Sequence, residues 1–127
     1  MKGKILVVDD EREILKILEE FLIRQGFEVI TASDGEKAMG VICSNFKVDV
    51  MILDLKMPKL NGFEVLEELS RIKYKIPVII LKGSVGEGED SQRLLELGYS
   101  DNDFLDKPID LYLLLDKIKT RLPHPVD

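Results

Sequence analysis

The sequence predicts an α/β fold in which helices cover both faces of a parallel sheet. Three short runs, Ile5–Val8, Val50–Leu53 and Val78–Leu81, are entirely apolar, which is typical of strands buried on both faces. The segments between these runs carry apolar residues at helical spacing. A length of 127 residues, of which 45% are hydrophobic, suits one domain with a single core.

The first half of the chain predicts two strands, each followed by a helix. Gly26 is typical of the residue that ends a helix. Ser33, with Glu36 three residues later, is typical of a capping box that begins the next helix. The predicted elements are a strand over Lys4–Val8, a helix that ends at about Gln25, a strand over Phe27–Thr31 and a helix over about Asp34–Ser44.

The central apolar run ends at an acid. Asp49 and Asp54 bound the run, and Pro58 follows soon afterwards; because proline cannot donate to a strand ladder, the strand must have ended by then. Asp54 is therefore predicted at the point where a buried strand gives way to a loop. In open α/β sheets, ligands bind outside the carboxyl ends of the strands. Asp54 is accordingly either a functional carboxylate or simply the polar end of a strand.

The second half of the chain predicts three further helices and two further strands. Asn61 with Glu64 is typical of a helix cap, and Asp90 and Asp110 are predicted to cap the two later helices. A glycine-rich segment, residues 82–88, follows the fourth strand. The predicted elements are a helix from Asn61 to about Ile72, a strand over Val78–Leu81, a helix from Asp90 to Leu97, a strand over Asp103–Asp106, a helix from Leu111 to Leu122 and a loose tail over 123–127.

Five strands that alternate with five helices predict a flavodoxin-like, doubly wound parallel sheet with the strand order 2-1-3-4-5. This order places the first and third strands side by side, so Asp9 and Asp10, which follow the first strand, are expected beside Asp54. Lys107 follows the fifth strand, and its ammonium is expected to reach the same cleft. Topology, rather than spacing along the chain, is the basis of this predicted cluster.

Composition and charge argue against several classes of function. A formal net charge of -6 argues against an exposed nucleic-acid surface on this domain, because phosphate contacts need clustered Lys and Arg. No segment is long enough to span a membrane or to serve as a signal peptide. The single cysteine, Cys43, cannot form an internal disulfide, which favours a reducing compartment, and its apolar helical surroundings predict a small core residue.

Three carboxylates in one cleft repel one another, so they require raised pKa values, a cation or a nearby lysine. Hard divalent cations such as Mg2+ take oxygen ligands, commonly one or two carboxylates together with water and phosphate. A metal and a lysine together stabilise a transferring phosphoryl group. In such a site Asp54 is a candidate nucleophile that forms an aspartyl-phosphate.

The order of these residues resembles the receiver domain of bacterial two-component response regulators. Each matching piece is weak alone, and their order on the predicted elements carries the resemblance, which runs from about Lys4 to Leu122. It implies a receiver domain over residues 1–122 that catalyses its own phosphorylation and dephosphorylation and acts as a signalling switch rather than as a conventional enzyme. The matching positions are Asp9-Asp10, Asp54 with Met57-Pro58, Gly62 and Lys107-Pro108.

The resemblance also implies a role for each residue of the cleft. Asp54 matches the phosphoacceptor and a Mg2+ ligand, and its phosphoryl group comes from a sensor histidine kinase, a phosphotransfer protein or a small phosphodonor. Asp10 matches the direct Mg2+ ligand, and Asp9 matches the acid beside it that acts mainly through water. The backbone carbonyl of Lys56 matches a further Mg2+ ligand. Lys107 matches the lysine that pairs with the phosphoryl oxygens.

Two departures from the family's pattern concern the side that receivers use for output. Phe104 matches the aromatic switch position, but Lys82 stands where the family's fourth strand usually ends in Thr or Ser. Three roles for Lys82 are open: it pairs with unphosphorylated Asp54, it binds the phosphoryl group, or it points to solvent. Ser84 is a candidate substitute for the missing hydroxyl. The link over residues 99–103 is longer and more acidic than the family's usual link.

The resemblance further implies a cytoplasmic protein whose partners are a kinase or phosphotransfer protein, with no membrane or direct nucleic-acid contact by this domain. A homodimer through the last strands and helices is a possible assembly.

Three alternative functions are weighed against the receiver. A pseudo-receiver, held in one state by Lys82 without phosphorylation, is opposed by the intact acids and by Lys107. An FMN-binding electron carrier needs a phosphate-cradling loop after the first strand, where the acids beginning at Asp9 repel a phosphate. A haloacid-dehalogenase-type phosphatase needs an acid two residues after its nucleophile, where this chain has Lys56.

Overall fold

The sheet confirms the predicted strand order 2-1-3-4-5, and all four strand pairs are parallel. This computed structural model describes residues 3–57, 61–83 and 87–122, with the backbone alone over 87–91. The second and fifth strands each begin one residue later than the sequence predicts. The strands are β1 (Lys4–Val8), β2 (Glu28–Ala32), β3 (Val50–Asp54), β4 (Val78–Lys82) and β5 (Phe104–Asp106). The helices are α1 (Arg12–Arg24), α2 (Gly35–Ile42), α3 (Gly62–Arg71), α4 (Glu87–Glu96) and α5 (Leu111–Arg121), with a short 3-10 helix over Asp101–Asp103.

The alternation of side chains along the strands divides the core into two layers. One layer lies between the sheet and helices α1 and α5, and it contains Val50 and Ile52 of β3. The other lies between the sheet and helices α2, α3 and α4, and it contains Met51 and Leu53. Because both faces of β1, β3 and β4 are covered, almost every residue of these strands is buried. This burial explains why their sequences are uninterrupted apolar runs.

Two predicted helix caps are confirmed. The Asn61 side chain accepts a hydrogen bond from the Glu64 N–H at 3.0 Å, and the Glu64 carboxylate accepts one from the Asn61 N–H at 2.8 Å, which completes a capping box before α3. The Asp110 carboxylate accepts hydrogen bonds from the N–H groups of Tyr112 and Leu113 at the start of α5. Each cap supplies a partner for amide groups that the first helical turn leaves unbonded.

Two other predicted helix starts are wrong. Asp34, not Ser33, caps α2, since its carboxylate accepts a hydrogen bond from the Lys37 N–H at 2.8 Å; both residue types suit this role, so the sequence alone does not separate them. Helix α4 begins at Glu87, so Asp90 lies inside the helix rather than at its cap. Acids are favourable throughout the first turn because of the helix dipole, which explains why an acid alone does not mark the start.

The predicted place of Cys43 in the core is also wrong. Helix α2 ends at Ile42, and Cys43 is the C-cap, where its side chain is exposed. The buried stripe of α2 includes Ala38 and Ile42. Cys43 falls outside this stripe because successive side chains point in different directions around a helix.

Parts of three predictions lie outside the described residues: Pro58 after the central strand, Ser84, and the tail over 123–127. Of the helices that the structure describes, none is long and apolar enough to cross a lipid bilayer.

Candidate functional site

Strand register brings Asp9, Asp54 and Lys107 to one cleft at the carboxyl ends of β1, β3 and β5. Side chains alternate between the faces of a sheet with a period of two, so residues two apart point to the same side. Each of the three lies two residues after a strand residue that is buried under α1 and α5. Their side chains therefore point to the same side of the sheet, where they meet. Those preceding residues are Val7, Ile52 and Leu105 respectively.

Lys107 makes the ion pairs at the centre of this cleft. Its ammonium lies 3.2 Å from Asp9 Oδ2, 3.4 Å from Asp54 Oδ2 and 3.4 Å from Glu11 Oε1. Asp9 is completely buried and Asp54 is 4% exposed, whereas Glu11 lies at the surface. The Lys107 main chain is fixed as well, because its N–H donates to the Lys82 carbonyl at 2.9 Å. Two buried acids thus share one lysine as their cation.

Asp10 completes a group of three carboxylates. One carboxylate oxygen from each of Asp9, Asp10 and Asp54 lies within 4.8 Å of the other two. Asp9 Oδ1 accepts a hydrogen bond from the Glu11 N–H at 2.9 Å, but Asp9 Oδ2 is buried without an aligned hydrogen bond from any described residue. Lys107 gives that oxygen an ion-pair contact. An all-oxygen donor set that includes an incompletely bonded buried oxygen fits a hard divalent cation such as Mg2+.

Burial is the main cause of the altered acidity in the cleft. Burial and the charge of Asp9 raise the pKa of Asp54 to about 6, although Lys107 and the Lys56 N–H act in the opposite direction. The Lys56 N–H donates to Asp54 Oδ1 at 3.3 Å. Burial likewise raises the pKa of Asp9, against the Glu11 N–H and the Lys107 charge. Neutral pH lies only a short way above this pKa, so Asp54 is mostly ionised there.

The same charges act on the lysine. Burial lowers the pKa of Lys107, but the carboxylates of Asp54 and Asp9 outweigh burial, so the net pKa is raised above its ordinary value. Lys107 therefore stays a cation at neutral pH, and it is available to neutralise charge on an oxygen that approaches Asp54.

The start of α3 packs directly against the strand end that carries Asp54. A Cβ atom added to Gly62 would lie 2.5 Å from the Asp54 carbonyl oxygen and 2.6 Å from Leu55 Cα. The Gly62 N–H also donates to the Leu55 carbonyl at 3.0 Å. Only glycine leaves room for such a close approach of two backbones. Gly62 therefore sets the distance between α3 and the strand end of the cleft.

Lys82 points to a different partner. Its ammonium lies 4.7 Å from the centroid of the Phe104 ring, a cation–π contact. Among the described residues, the lysine that pairs with Asp54 is Lys107 and not Lys82. The Lys82 residue is half-buried, and its ammonium contacts the Phe104 ring rather than the Asp54 carboxylate. What Lys82 does once Asp54 carries a phosphoryl group stays a prediction. Ser84, the other candidate at this position, is not among the described residues.

The acidic link before β5 is packed against α5. The Asp103 carboxylate accepts a hydrogen bond from the Ser100 N–H at 3.0 Å and pairs with Arg121 at 3.1 Å. The Lys117 ammonium donates to the Asn102 carbonyl at 3.0 Å. Residues Asp101–Asp103 of this link form the short 3-10 helix, which α5 holds from one side.

Glu11 is a member of the cleft that the sequence pattern did not identify. Its carboxylate contacts the Lys107 ammonium at 3.4 Å, and its N–H donates to Asp9. Its position as the third consecutive acid after β1 is the feature that points to it, because the first two acids are already predicted in the cleft.

The fold and the cleft define a doubly wound α/β protein with an acidic, lysine-bearing site at the carboxyl ends of its strands. The response regulator receiver domain family matches residues 5–119, so the chain belongs to this family. It is 38% identical to response regulator GtcR of Aneurinibacillus migulanus over 122 residues, which cover 96% of this chain and 48% of that protein. It is 40% identical to transcriptional regulatory protein CpxR of Klebsiella pneumoniae over 120 residues, which cover 94% of this chain and 49% of that protein.

Solved receiver domains share the same fold. The receiver domain of a Francisella response regulator matches with a TM-score of 0.81 at 31% identity, covering 93% of this chain and 94% of that one. A receiver domain protein from Clostridium thermocellum matches with a TM-score of 0.81 at 35% identity, covering 94% of this chain and 93% of that one. The chain spans about half the length of the curated relatives it matches.

Proposed function

We propose that this chain is a phosphorylation-controlled switch in which Asp54 is the phosphoacceptor. The observation that carries the proposal is the position of the Lys107 ammonium, 3.4 Å from Asp54 and 3.2 Å from Asp9. A fixed cation at a buried carboxylate is suited to stabilise the charge on the oxygens of a transferring phosphoryl group. The proposed donors are a sensor histidine kinase, a phosphotransfer protein and a small acyl phosphate.

In the proposed reaction, an oxygen of ionised Asp54 forms a bond to the phosphorus of the donor. The bond from phosphorus to the donor's imidazole nitrogen or acyl phosphate oxygen breaks, and its electron pair stays with the donor. The pKa of about 6 supports an ionised Asp54 at neutral pH. Lys107 and the Lys56 N–H orient the carboxylate. Attack of water on the phosphorus of the aspartyl-phosphate releases phosphate and restores Asp54.

The proposed reaction depends on Mg2+. Asp9, Asp10 and Asp54 would hold the ion, together with the backbone carbonyl of Lys56. The clustered carboxylates and the buried Asp9 oxygen without an aligned hydrogen bond support this assignment. When bound, the cation neutralises charge on the acids and on the phosphoryl oxygens. Lys107 then neutralises the side of the cleft nearer to β5.

An apolar groove beside Lys107 supports docking of a phosphodonor protein. The groove has a volume of about 230 Å³ and lies between α1 and the loop before α5. Ile17 at its edge is 53% exposed, although it is apolar. A sensor histidine kinase or phosphotransfer protein bound here would have its histidine close to Asp54. The lining residues include Ile14, Ile17, Leu18, Pro108 and Ile109.

The proposed switch occupies residues 1–122 and works in the cytoplasm. Leu95 on α4 and Leu113 on α5 are 58% and 46% exposed, which supports a homodimer through the last strands and helices. The net charge of -6 supports signalling through protein contacts rather than through direct nucleic-acid contact by this domain.

The experiment that tests this proposal is the mass of the intact protein after incubation with acetyl phosphate, with and without Mg2+. Wild-type protein is expected to gain one phosphoryl group in the presence of Mg2+ only. Asp54→Asn is expected to gain none, because it lacks the nucleophilic oxygen while keeping the shape of the side chain. Addition of EDTA before acetyl phosphate is expected to prevent the adduct.

An adduct of equal yield on Asp54→Asn would defeat the assignment of the phosphoacceptor. Absence of any adduct on wild-type protein, together with absence of Mg2+ binding, would instead support a pseudo-receiver that binds partners without phosphorylation.

A further inference from the structure

Lys82 and Phe104 form a contact on the opposite side of the strand ends from Lys107. The Lys82 ammonium lies 4.7 Å from the centroid of the Phe104 ring, within the range of a cation–π interaction. Ile80 pairs with Phe104 in the sheet, and Lys82 lies two residues after Ile80. The three side chains therefore share the face that α2, α3 and α4 cover. The contact is part of the boundary between the cleft and that layer of the core.

We propose that Lys82 is a second phosphoryl-binding lysine, whose ammonium leaves the Phe104 ring and binds the phosphoryl group carried by Asp54. This inference rests on the proposed function, because it needs a phosphoryl group on Asp54. It assigns Lys82 the role of the residue that detects phosphorylation, and it makes release of the Phe104 ring the first structural consequence.

The register of the sheet places Lys82 within reach of that phosphoryl group. Asp54 pairs with Leu81 across β3 and β4, so Lys82 is the residue after Asp54's partner. Neighbouring strands lie about 4.8 Å apart. Five bonds of about 1.5 Å separate Cα from Nζ in lysine, so the ammonium can span that distance. A phosphoryl group also extends beyond the Asp54 carboxylate, which brings its oxygens closer to the end of β4.

Electrostatics explain why the ammonium has different partners in the two states. Before phosphorylation, Asp54 is a single carboxylate that already has Lys107 at 3.4 Å, so Lys82 gains little from approaching it. Phosphorylation replaces the single carboxylate charge by a group that carries about -1.5 to -2 of charge and three strong acceptor oxygens. Lys107 is shared with Asp9 and Glu11, so it cannot satisfy all of those oxygens. A charge-assisted hydrogen bond to a phosphoryl oxygen is stronger than a half-exposed cation–π contact.

Arg93, another cation beside the strand ends, is already engaged on both sides. Its guanidinium lies 4.1 Å from the centroid of the Phe63 ring and 3.2 Å from the Glu67 carboxylate. Both partners belong to α3, so Arg93 links α4 to α3. In the described part of the chain, Lys82 is held by one aromatic ring. Moving Lys82 to a phosphoryl group therefore breaks fewer contacts than moving Arg93 would.

The first test measures the contact in the unphosphorylated protein. Lys82→Met, Phe104→Leu and the double variant form a double-mutant cycle for urea unfolding. A cation–π contact predicts that the two substitutions together raise the unfolding equilibrium constant about 2- to 5-fold less than the product of the single effects. If the double variant changes the unfolding equilibrium constant by the product of the two single effects, Lys82 and Phe104 do not interact, and the proposal is overturned.

The second test follows the ammonium when the protein is phosphorylated with acetyl phosphate and Mg2+. The Lys82 ammonium lies 4.7 Å from the centroid of the Phe104 ring, so the NMR signals of the adjoining ε-methylene protons are expected to be displaced by the ring current. Phosphorylation is expected to remove most of that displacement. Phe104→Leu identifies the ring as its source, since this variant is expected to show no displacement in either state.

The third test compares matched lysine variants. Lys75→Met makes the same change in charge at an exposed position shortly before β4, and it is expected to leave phosphoryl uptake unchanged. Lys82→Met is expected to slow initial uptake from acetyl phosphate roughly tenfold, the scale of one charge-assisted hydrogen bond. Lys82→Arg keeps a cation and is expected to restore most of the rate.

The outcomes separate this inference from the proposed function. If intact mass shows no phosphoryl adduct on wild-type protein, the proposed function fails and this inference fails with it. If the adduct forms while the Lys82 signals stay displaced by the ring, this inference alone is overturned. Equal uptake rates for Lys82→Met and Lys75→Met would also overturn it.

Discussion

Two lysines at the ends of neighbouring strands have different partners. The Lys107 ammonium, after β5, lies within 3.4 Å of Asp54 and Asp9. The Lys82 ammonium, at the end of β4, lies over the Phe104 ring. The first lysine is part of a network of buried charges, whereas the second has one aromatic contact. The comparison separates the part of the cleft suited to chemistry from the part suited to detect a change in charge.

The position of each lysine along its strand explains the difference. Lys107 lies two residues after Leu105, which is buried under α1 and α5, so it faces the acids on that side. Lys82 lies two residues after Ile80, which is buried under α2, α3 and α4. Lys82 pairs with Asp106 across the two strands, and Lys107 is the next residue. A difference of one position along the strand therefore decides whether a lysine at this edge of the sheet faces the carboxylates or the aromatic ring.

The largest expected effect is that of Lys107→Met. Removal of this ammonium leaves Asp9 and Asp54 buried without their cation, and breaking a buried ion pair in this way costs about 3–5 kcal/mol. Lys82→Met removes a cation–π contact at a half-exposed site, which costs about 0.5–1 kcal/mol. Urea unfolding of the metal-free proteins near neutral pH measures both losses.

The two variants are matched, because each replaces a lysine at the end of a strand by methionine and changes the net charge equally. The difference between their free energies of unfolding therefore reports the partners rather than the charge. Equal losses would contradict the view that the buried acids depend on Lys107 more than the ring depends on Lys82.

The next effect in size is the pH dependence of the metal-free protein. The pKa of Asp54 in the folded state is about 6, above the ordinary value of 3.8, because of burial and then the charge of Asp9. Between these two values the folded state binds more protons than the unfolded state. The free energy of unfolding is therefore expected to fall as pH rises through this window, by about 3 kcal/mol.

Asp54→Asn supplies the control for this pH dependence, because its amide does not titrate. The variant is expected to be more stable than wild-type protein near neutral pH, and the gap is expected to close below pH 3.8, the ordinary pKa of the side chain. Thermal or urea unfolding of both proteins over this range measures the gap. A gap that is constant with pH would contradict the raised pKa of Asp54.

The acid–lysine part of the cleft was predictable because it depends on the order of the elements. Asp9 and Lys107 directly follow predicted strands and Asp54 ends one, and the strand order brings those strand ends together. The two helix starts at Ser33 and Asp90 were mispredicted because several neighbouring residues suit the same local role, and the sequence does not rank them.

The partner of Lys82 was not predictable in the same way. Its contact with Phe104 depends on the register between β4 and β5 and on the rotamer of a long, flexible side chain. Neither has a periodic pattern in the sequence. Glu11 was missed for a related reason, because its contact with Lys107 depends on the conformation of the chain after β1 rather than on the strand itself.

The smallest expected effect concerns the support that α5 gives to the start of β5. Arg121 pairs with Asp103 at 3.1 Å in a partly buried setting, so Arg121→Met is expected to cost about 0.5–1 kcal/mol. It is also expected to speed amide exchange at Asp103, whose N–H donates to the Ser100 carbonyl at 2.8 Å. Lys119→Met, on the exposed side of the same helix, makes the same change in charge and is the control. If the two variants unfold alike and exchange at Asp103 is unchanged, the 3-10 helix is stable without α5, and the Phe104 ring is positioned by β4 and its lysine rather than by the last helix.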